Sequence, residues 1–138
     1  MTVVLVDVAN VVGARPDGWW RDRAGATSRL LHRLTGLAGQ TLPGPDGEPV
    51  PVTAVVAVVE GQARAAGAPD GLRVVRAEGS GDDALAAVAA DLADGDDDLL
   101  VVTADRGLRA RLPGTARTAG PGWLLSAADG VAGQDQAP

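Results

Sequence analysis

Cysteine, lysine, phenylalanine and tyrosine are all absent from this chain of 138 residues. Without cysteine the protein has no disulfide, no thiolate metal ligand and no cysteine nucleophile. Long apolar runs are missing too, since no stretch approaches the roughly 18 residues that a membrane span needs. The N-terminus also lacks a basic region followed by an apolar one. We therefore expect a cytoplasmic protein that is not embedded in a membrane.

Positive charge is scarce, and the formal net charge is -6. This argues against a broad, non-specific attraction to nucleic acid. The charge is uneven, because residues 1–40 hold an excess of arginine while the remainder is strongly acidic. An acidic protein of this kind can still bind a phosphodiester through metal ions and a local arginine patch.

The residues that are plentiful are small and aliphatic. Hydrophobic residues make up 46% of the chain, mostly valine, alanine and leucine. They suit a sheet that helices cover on both faces. The length fits one domain with a single core, which we place at residues 1–129. We expect residues 130–138 to form a disordered tail.

Short apolar runs predict the buried strands of a parallel sheet. They cover residues 3–6, 52–59, 72–77 and 99–103, with a fifth strand at 116–119 or 123–125. Leucines and alanines at helical spacing predict helices over 21–37 and 82–93, with short ones near 61–66 and 106–111. Glycine and proline predict loops over 8–20 and 39–51. This alternation indicates an α/β fold with right-handed crossovers.

Polar side chains follow each predicted strand where it ends. They are Asp7 and Asn10 after the first strand, Glu60 after the second, Asp82 and Asp83 after the third, and Asp105 after the fourth. The carboxyl ends of parallel strands meet at one edge of the sheet, where ligands bind. Carboxylates gathered there repel each other unless a cation compensates them. Oxygen ligands of this type select Mg²⁺ or Mn²⁺, so the sequence predicts a divalent-metal site.

Each acid also has a purely structural interpretation. Asp82 and Asp83 complement the dipole of a helix N-terminus, and Asp105 is placed to cap the next helix. Glu60 is expected to be an ordinary strand-end acid and not a ligand. A G-x-G-x-x-A pattern begins at Gly79, but the acids within it would repel the pyrophosphate of a dinucleotide, so a nicotinamide cofactor is disfavoured.

Three motifs carry a resemblance to a known family. The succession VVLVDVAN, GSGDDAL and VVTADRGLR, within residues 3–112, resembles the PIN-like NYN ribonucleases and their YacP-like branch. The resemblance implies a three-layer α/β/α, Rossmann-like fold with a central parallel sheet in the strand order 3-2-1-4-5. It also implies hydrolysis of RNA phosphodiesters with Mg²⁺ or Mn²⁺. The sequence departs from some relatives at Arg109, where they carry an acid, and at Val8-Ala9.

The resemblance assigns roles residue by residue. The implied metal ligands are Asp7, Asp82, Asp83 and Asp105, and the implied catalytic residues are Asp7, Asp83, Asp105 and Asn10. The residues expected to bind substrate are Arg15, Arg21, Arg23, Arg106 and Arg109, with Trp19 and Trp20 as candidates for stacking on a base. We expect one of the two tryptophans to pack under its loop instead. His32, on a helix face with arginines, is expected to be a surface residue.

Three functions remain open at this point. The first is a metal-dependent ribonuclease acting on RNA, for which a single strand is the expected form. The second is a nucleotide pyrophosphohydrolase that uses the same metals on nucleoside triphosphates. The third is a catalytically silent PIN-like module that binds a partner through residues 39–51. A homodimer is left open in each case.

Overall fold

The computed structural model describes residues 1–14, 18–61, 63 and 66–135. The strands in these ranges are β1 (Thr2–Asp7), β2 (Thr41–Pro43), β3 (Pro49–Val59), β4 (Arg73–Arg76), β5 (Asp98–Val102) and β6 (Arg117–Ala119). The α-helices are α1 (Val8–Gly13), α2 (Arg23–Leu34), α3 (Gly81–Ala93), α4 (Arg106–Arg109) and α5 (Pro121–Asp135), and Trp19–Arg21 form a 3-10 helix. None of the helices in the described part of the chain has the length and hydropathy that crossing a membrane requires.

The central strand is β1, whose consecutive apolar residues are buried on both faces. It pairs in parallel with β3 on one side and with β5 on the other. β4 then joins β3, and β6 joins β5, again in parallel. The five parallel strands therefore lie in the order β4-β3-β1-β5-β6, which confirms the predicted 3-2-1-4-5 arrangement. Strand order reverses between β1 and β5, so the crevice for a ligand is expected at their carboxyl ends.

The sheet as a whole is mixed, because β2 runs antiparallel to the start of β3. The predictions of a purely parallel sheet and of a loop over residues 39–51 are therefore wrong. The glycines and prolines there form a hairpin turn, in which Gly47 adopts a φ of 89° and the Gly44 amide donates to the Glu48 carbonyl at 2.9 Å. Proline is tolerated at such a position on a sheet edge.

Two apolar layers sandwich the sheet. Along β1, Val4 and Val6 face a cluster that includes Leu31 of α2, with further residues of α1 and α5. Leu5 faces the opposite cluster, which includes Leu85 of α3. Alternate residues of one strand thus face two different helical layers, as the period of a strand requires. The predicted three-layer α/β/α arrangement is confirmed.

Two helices lie where the sequence predicts other structure. Residues 8–13 form α1 in place of a loop, because the Asp7 side chain caps the helix by accepting from the backbone N–H of Asn10. The chain from Pro121 forms α5, which includes the alternative fifth strand at 123–125 and extends to Asp135. The predicted disordered tail is therefore wrong for residues 130–135, while 136–138 lie outside the described residues. The helix expected near 61–66 also falls partly outside them.

Candidate functional site

The carboxyl ends of the three central strands are level with one another. Asp7, the last residue of β1, lies opposite Val58 of β3, and Val6 lies opposite Val102 of β5. Glu60 follows β3 and Thr103 follows β5, so both arrive beside Asp7. The register of the sheet therefore brings an acid from β1 and an acid from β3 to the point where strand order reverses.

Asp7 is half-buried and held by two hydrogen bonds. Its Oδ1 accepts from the backbone N–H of Asn10 at 3.4 Å, and its Oδ2 accepts from the hydroxyl of Thr103 at 2.9 Å. Burial raises the pKa of the Asp7 carboxyl, and the nearby charges of Asp82 and Glu60 raise it further. The two hydrogen bonds lower the pKa and only partly offset this rise. The carboxylate is thus fixed in place while its ionised form is disfavoured.

Thr103 connects Asp7 to Asp105. Its side chain is fully buried, and its Oγ1 also accepts the backbone N–H of Asp105 at 3.1 Å. Asp105 in turn caps α4, since its Oδ1 accepts from the Leu108 amide at 3.0 Å. The predicted capping role is confirmed. A carboxylate offers about four lone-pair sites, so Asp105 can cap the helix and still accept other bonds.

Asn10 ties α1 to the segment after β5. Its side-chain Oδ1 accepts the backbone N–H of Ala104 at 2.8 Å. The contact joins two segments that are 94 positions apart in the chain. Asn10 therefore positions the Asp7 helix cap against the Thr103–Asp105 turn.

The two acids at the start of α3 have different environments. Ser80 caps the helix, and Asp83 forms an exposed ion pair with Arg111, whose Nη2 lies 2.8 Å from its Oδ1. Desolvation raises the pKa of Asp82, and the charges of Asp105, Glu60 and Asp83 add to the effect against the opposing charge of Arg111. The charges of neighbouring acids therefore affect the pKa of Asp82, whereas Asp83 forms an ion pair with Arg111.

Glu60 lies between the acids and the start of α3. Its Oε2 accepts the backbone N–H of Gly81 at 2.5 Å. A Cβ at Gly81 would displace the Glu60 carboxylate from this position, so glycine permits this approach. The protein's own carboxylate thus accepts a backbone N–H at the helix N-terminus. Glu60, expected to be an ordinary strand-end acid, contributes to the raised pKa values of Asp7 and Asp82 through its charge.

Four carboxylates, those of Asp7, Glu60, Asp82 and Asp105, therefore form what we call the acidic cluster. Its donors are all oxygen, which suits a hard divalent cation. Desolvation raises the pKa values of Asp7 and Asp82, and repulsion from neighbouring carboxylates, which a cation would relieve, raises them further. In their present side-chain positions, no three acidic or histidine side chains of residues 1–14, 18–61, 63 and 66–135 form a ready-made cation site.

The predicted substrate-binding residues differ in their environments. The Arg109 guanidinium bonds to the protein's own backbone, because its Nε and Nη2 donate to the Thr103 carbonyl at 3.0 and 2.6 Å. Arg21, Arg23 and Arg106 are exposed, and so is Trp20, with 57% of its surface accessible. Arg15 and the side chain of Trp19 lie outside the described residues. Sequence reasoning missed Arg111, whose only signal was its position just after α4.

Neutralising Asp82 is expected to stabilise the metal-free protein. With the pKa raised on folding, the folded state binds this proton more tightly than the unfolded chain. The residue's contribution to the free energy of unfolding therefore falls as pH rises through the raised pKa. Asp82→Asn should raise the melting temperature at pH 7 by about 2 °C, the scale of a surface charge interaction. The gain should vanish below the ordinary pKa of 3.8.

The neighbouring acid provides the matched control. Asp83 lies in the same helical turn and interacts with the same dipole, but it pairs with Arg111. Asp83→Asn should leave the melting temperature unchanged or lower it. Thermal melts of both variants in EDTA at pH 7 and at about pH 3, below the ordinary pKa, measure the difference. Equal shifts for the two variants would mean that the helix dipole, and not the acidic cluster, sets the charge energetics of Asp82.

The fold is PIN-like and is shared with Rae1 (YacP) from Bacillus subtilis. Its crystal structure matches with a TM-score of 0.73 at 15% identity, covering 99% of this chain and 78% of that one. A mutant form of Rae1 matches with a TM-score of 0.72 at 17% identity, covering 97% of this chain and 79% of that one. YacP is the branch that the three sequence motifs resemble. No protein-family model and no curated protein sequence matches the chain.

Proposed function

We propose that this protein is a divalent-metal-dependent phosphodiester hydrolase, and specifically a ribonuclease that uses Mg²⁺ or Mn²⁺. The observation that carries the proposal is the acidic cluster, which lies where strand order reverses in a PIN-like sheet. The likeness to Rae1 (YacP) and the three ribonuclease-like motifs support the same reaction class. Carboxylates whose pKa values are raised by desolvation and by one another's charge are typical of a functional site rather than of a stabilising one.

Asp7, Asp82 and Asp105 are the residues that would hold the cation, with Glu60 beside them. This differs from the set implied by the family resemblance, because Asp83 is engaged by Arg111. We assign Asp83 and Arg111 to the rim of the site. Thr103 and Asn10 are positioning residues, since they bond to the first-strand acid and to the turn that carries Asp105.

A bound Mg²⁺ or Mn²⁺ supplies Lewis-acid stabilisation of phosphate charge and a water of lowered pKa. The protein's own contribution is to orient the carboxylates before substrate arrives. Asp7 is fixed by Thr103, and Asp105 is fixed by the α4 cap. Arg106 and Arg111 follow β5 in the chain, and their guanidinium groups are suited to binding a phosphate oxygen. No serine, cysteine or histidine nucleophile is required.

A free nucleotide is the second candidate substrate. Two features favour it: the formal net charge of -6, which opposes a long polyanion, and a cavity of about 340 Å³ beside the cluster, which is the size of a small ligand. In this case the same carboxylates would serve a nucleoside triphosphate pyrophosphohydrolase.

The test is cleavage by the purified protein in Mg²⁺, Mn²⁺ or EDTA. Single-stranded RNA, single-stranded DNA and the four nucleoside triphosphates serve as parallel substrates. We expect RNA cleavage with either metal and none in EDTA. Release of pyrophosphate from triphosphates without RNA cleavage would replace the ribonuclease with the nucleotide hydrolase. Cleavage that persists in EDTA would refute the metal-dependent mechanism.

A further inference from the structure

A half-open cavity of about 340 Å³ lies beside the acidic cluster. It is enclosed by α1, the start of α2, the segment after β3 and the segment before α3. One part of its wall is apolar and built from small side chains, those of Ala9, Val12 and Ala63. The other part is polar and is contributed by Arg23, Thr27 and Glu60. A mixed wall of this kind is typical of a site for a small organic ligand.

Two residues connect the cavity directly to the acidic cluster. Glu60 lines the cavity, and its charge raises the pKa of both Asp7 and Asp82. Ala9 lines the cavity from α1, between Asp7 and Asn10 in the sequence. A ligand in the cavity is therefore a direct neighbour of the carboxylates.

The wall indicates the chemistry of the ligand. Small aliphatic side chains in one part of the wall can pack against a flat, weakly polar ring. The Glu60 carboxylate can accept from ring N–H or amino groups, and the guanidinium of Arg23 can donate. The volume is near the lower end of the roughly 300–1,000 Å³ range for ligand pockets, which suits one nucleoside better than a lipid or a peptide.

We propose that this cavity binds the base and ribose of one nucleotide of the substrate and thereby places the adjoining phosphate at the acidic cluster. The inference rests on the proposed phosphodiester hydrolase and names the part of the substrate that it holds. The same nucleoside can belong to an RNA strand or to a free nucleotide. The cavity thus selects the sugar and base, while the carboxylates act on the phosphate.

Binding of neutral nucleosides tests the cavity separately from catalysis. Adenosine and cytidine are titrated calorimetrically into the full chain in EDTA, with ribose 5-phosphate as the probe that lacks a base. We expect saturable binding of the nucleosides and none of ribose 5-phosphate. Equal binding of ribose 5-phosphate, or no binding of any nucleoside, would overturn the proposal.

A substitution that fills the cavity provides the second test. Gly79 lines the cavity, its φ is not positive, and a Cβ there meets no atom within 4 Å. Gly79→Leu should therefore fold normally and weaken nucleoside binding at least tenfold. Ala9→Leu, at an exposed position on α1, should have the same effect. Gly114→Leu is the matched control, because Gly114 has equally open space but precedes β6 at the opposite edge of the sheet.

Kinetics with the same variants identify the source of the nucleoside. Gly79→Leu should raise KM for single-stranded RNA at least tenfold and leave kcat largely unchanged. The same rise for triphosphate hydrolysis alone would assign the cavity to a free nucleotide. Nucleoside binding without cleavage of any substrate would support the cavity as a nucleoside site but contradict the proposed hydrolase activity. Cleavage with an unchanged KM in Gly79→Leu would contradict nucleoside binding in the cavity but remain consistent with the hydrolase activity.

Discussion

Asp105→Asn is expected to reduce metal-dependent cleavage roughly a thousandfold while the fold is unchanged. The lost carboxylate would remove a cation ligand, and a barrier increase of about 4 kcal/mol corresponds to that factor. The fold should persist because asparagine is as good an N-cap as aspartate, and its side-chain oxygen can still accept from the Leu108 amide. Cleavage rates in saturating Mg²⁺, with a thermal melt of the same sample, measure both effects.

The control for Asp105→Asn lies at the other end of the same strand. Asp98 begins β5, is exposed, and lies at the amino edge of the sheet, far from the acidic cluster. Asp98→Asn changes the net charge by the same amount and should cleave at the wild-type rate. If Asp105→Asn also cleaves as fast as wild type, the carboxylates do not hold a catalytic cation.

Thr103→Val is expected to be the most damaging change at a residue that does not touch the substrate. Valine has nearly the same shape, but it leaves Asp7 Oδ2 and the Asp105 amide without their partner at a buried position. We expect a loss of about 1–3 kcal/mol in the free energy of unfolding. Cleavage should fall about 10–100-fold, as is usual when the partner of a metal-site residue is removed.

The pH profile distinguishes positioning by Thr103 from a general loss of stability. The hydroxyl of Thr103 lowers the pKa of Asp7 by bonding to its ionised form. In Thr103→Val the pKa of Asp7 should rise, and the acid limb of the pH–rate profile should move to higher pH. Thr103→Ser, which retains the hydroxyl, should restore the profile. Thr118→Val on the neighbouring strand β6 should leave it unmoved, and a shift common to both valine variants would contradict the role of Thr103.

The sequence predicted the sheet and the edge at which the acids gather because both follow from local patterns. Uninterrupted apolar runs such as Val3–Val6 indicate buried parallel strands, and the alternation with helices limits their order. The residue after such a strand must lie at the carboxyl edge. Asp7, Glu60 and Asp105 could therefore be assigned to one edge of the sheet from the sequence, whereas the adjacency of the strands that carry Asp7 and Asp105 was implied only by the family resemblance.

Glycine-rich segments were predicted less well. The region from Pro121 contains several glycines, which lower helix propensity, and the sequence predicted an alternative strand at 123–125 and a tail from residue 130 in place of the helix α5. Tertiary contacts stabilise this helix despite its low intrinsic propensity. Leu124 and Ala128 pack into the core, and the Trp123 indole donates to the Pro43 carbonyl at 2.9 Å. Tertiary packing thus overrides a weak local preference, as it does for β2.

Side-chain partners that lie far apart in the chain could not be predicted. Whether Asp83 faces the acids or Arg111 depends on how α3 and the end of α4 approach each other in space. Glu60 looks like an ordinary strand-end acid until Gly81 permits its close approach. The bond from Thr103 to Asp7 spans 96 positions of the chain, and no local pattern encodes it.

Titration of metal-free protein with Mn²⁺, followed by calorimetry and by thermal melting, tests the acidic cluster most directly. The account predicts saturable binding heat and a rise in melting temperature, with a stabilisation of about 2.7 kcal/mol when free Mn²⁺ is 100 times its dissociation constant. Both signals should be strongly reduced in Asp105→Asn and unchanged in Asp98→Asn. No binding heat and no change in melting temperature for the wild-type protein would contradict the account and favour a catalytically silent, partner-binding module.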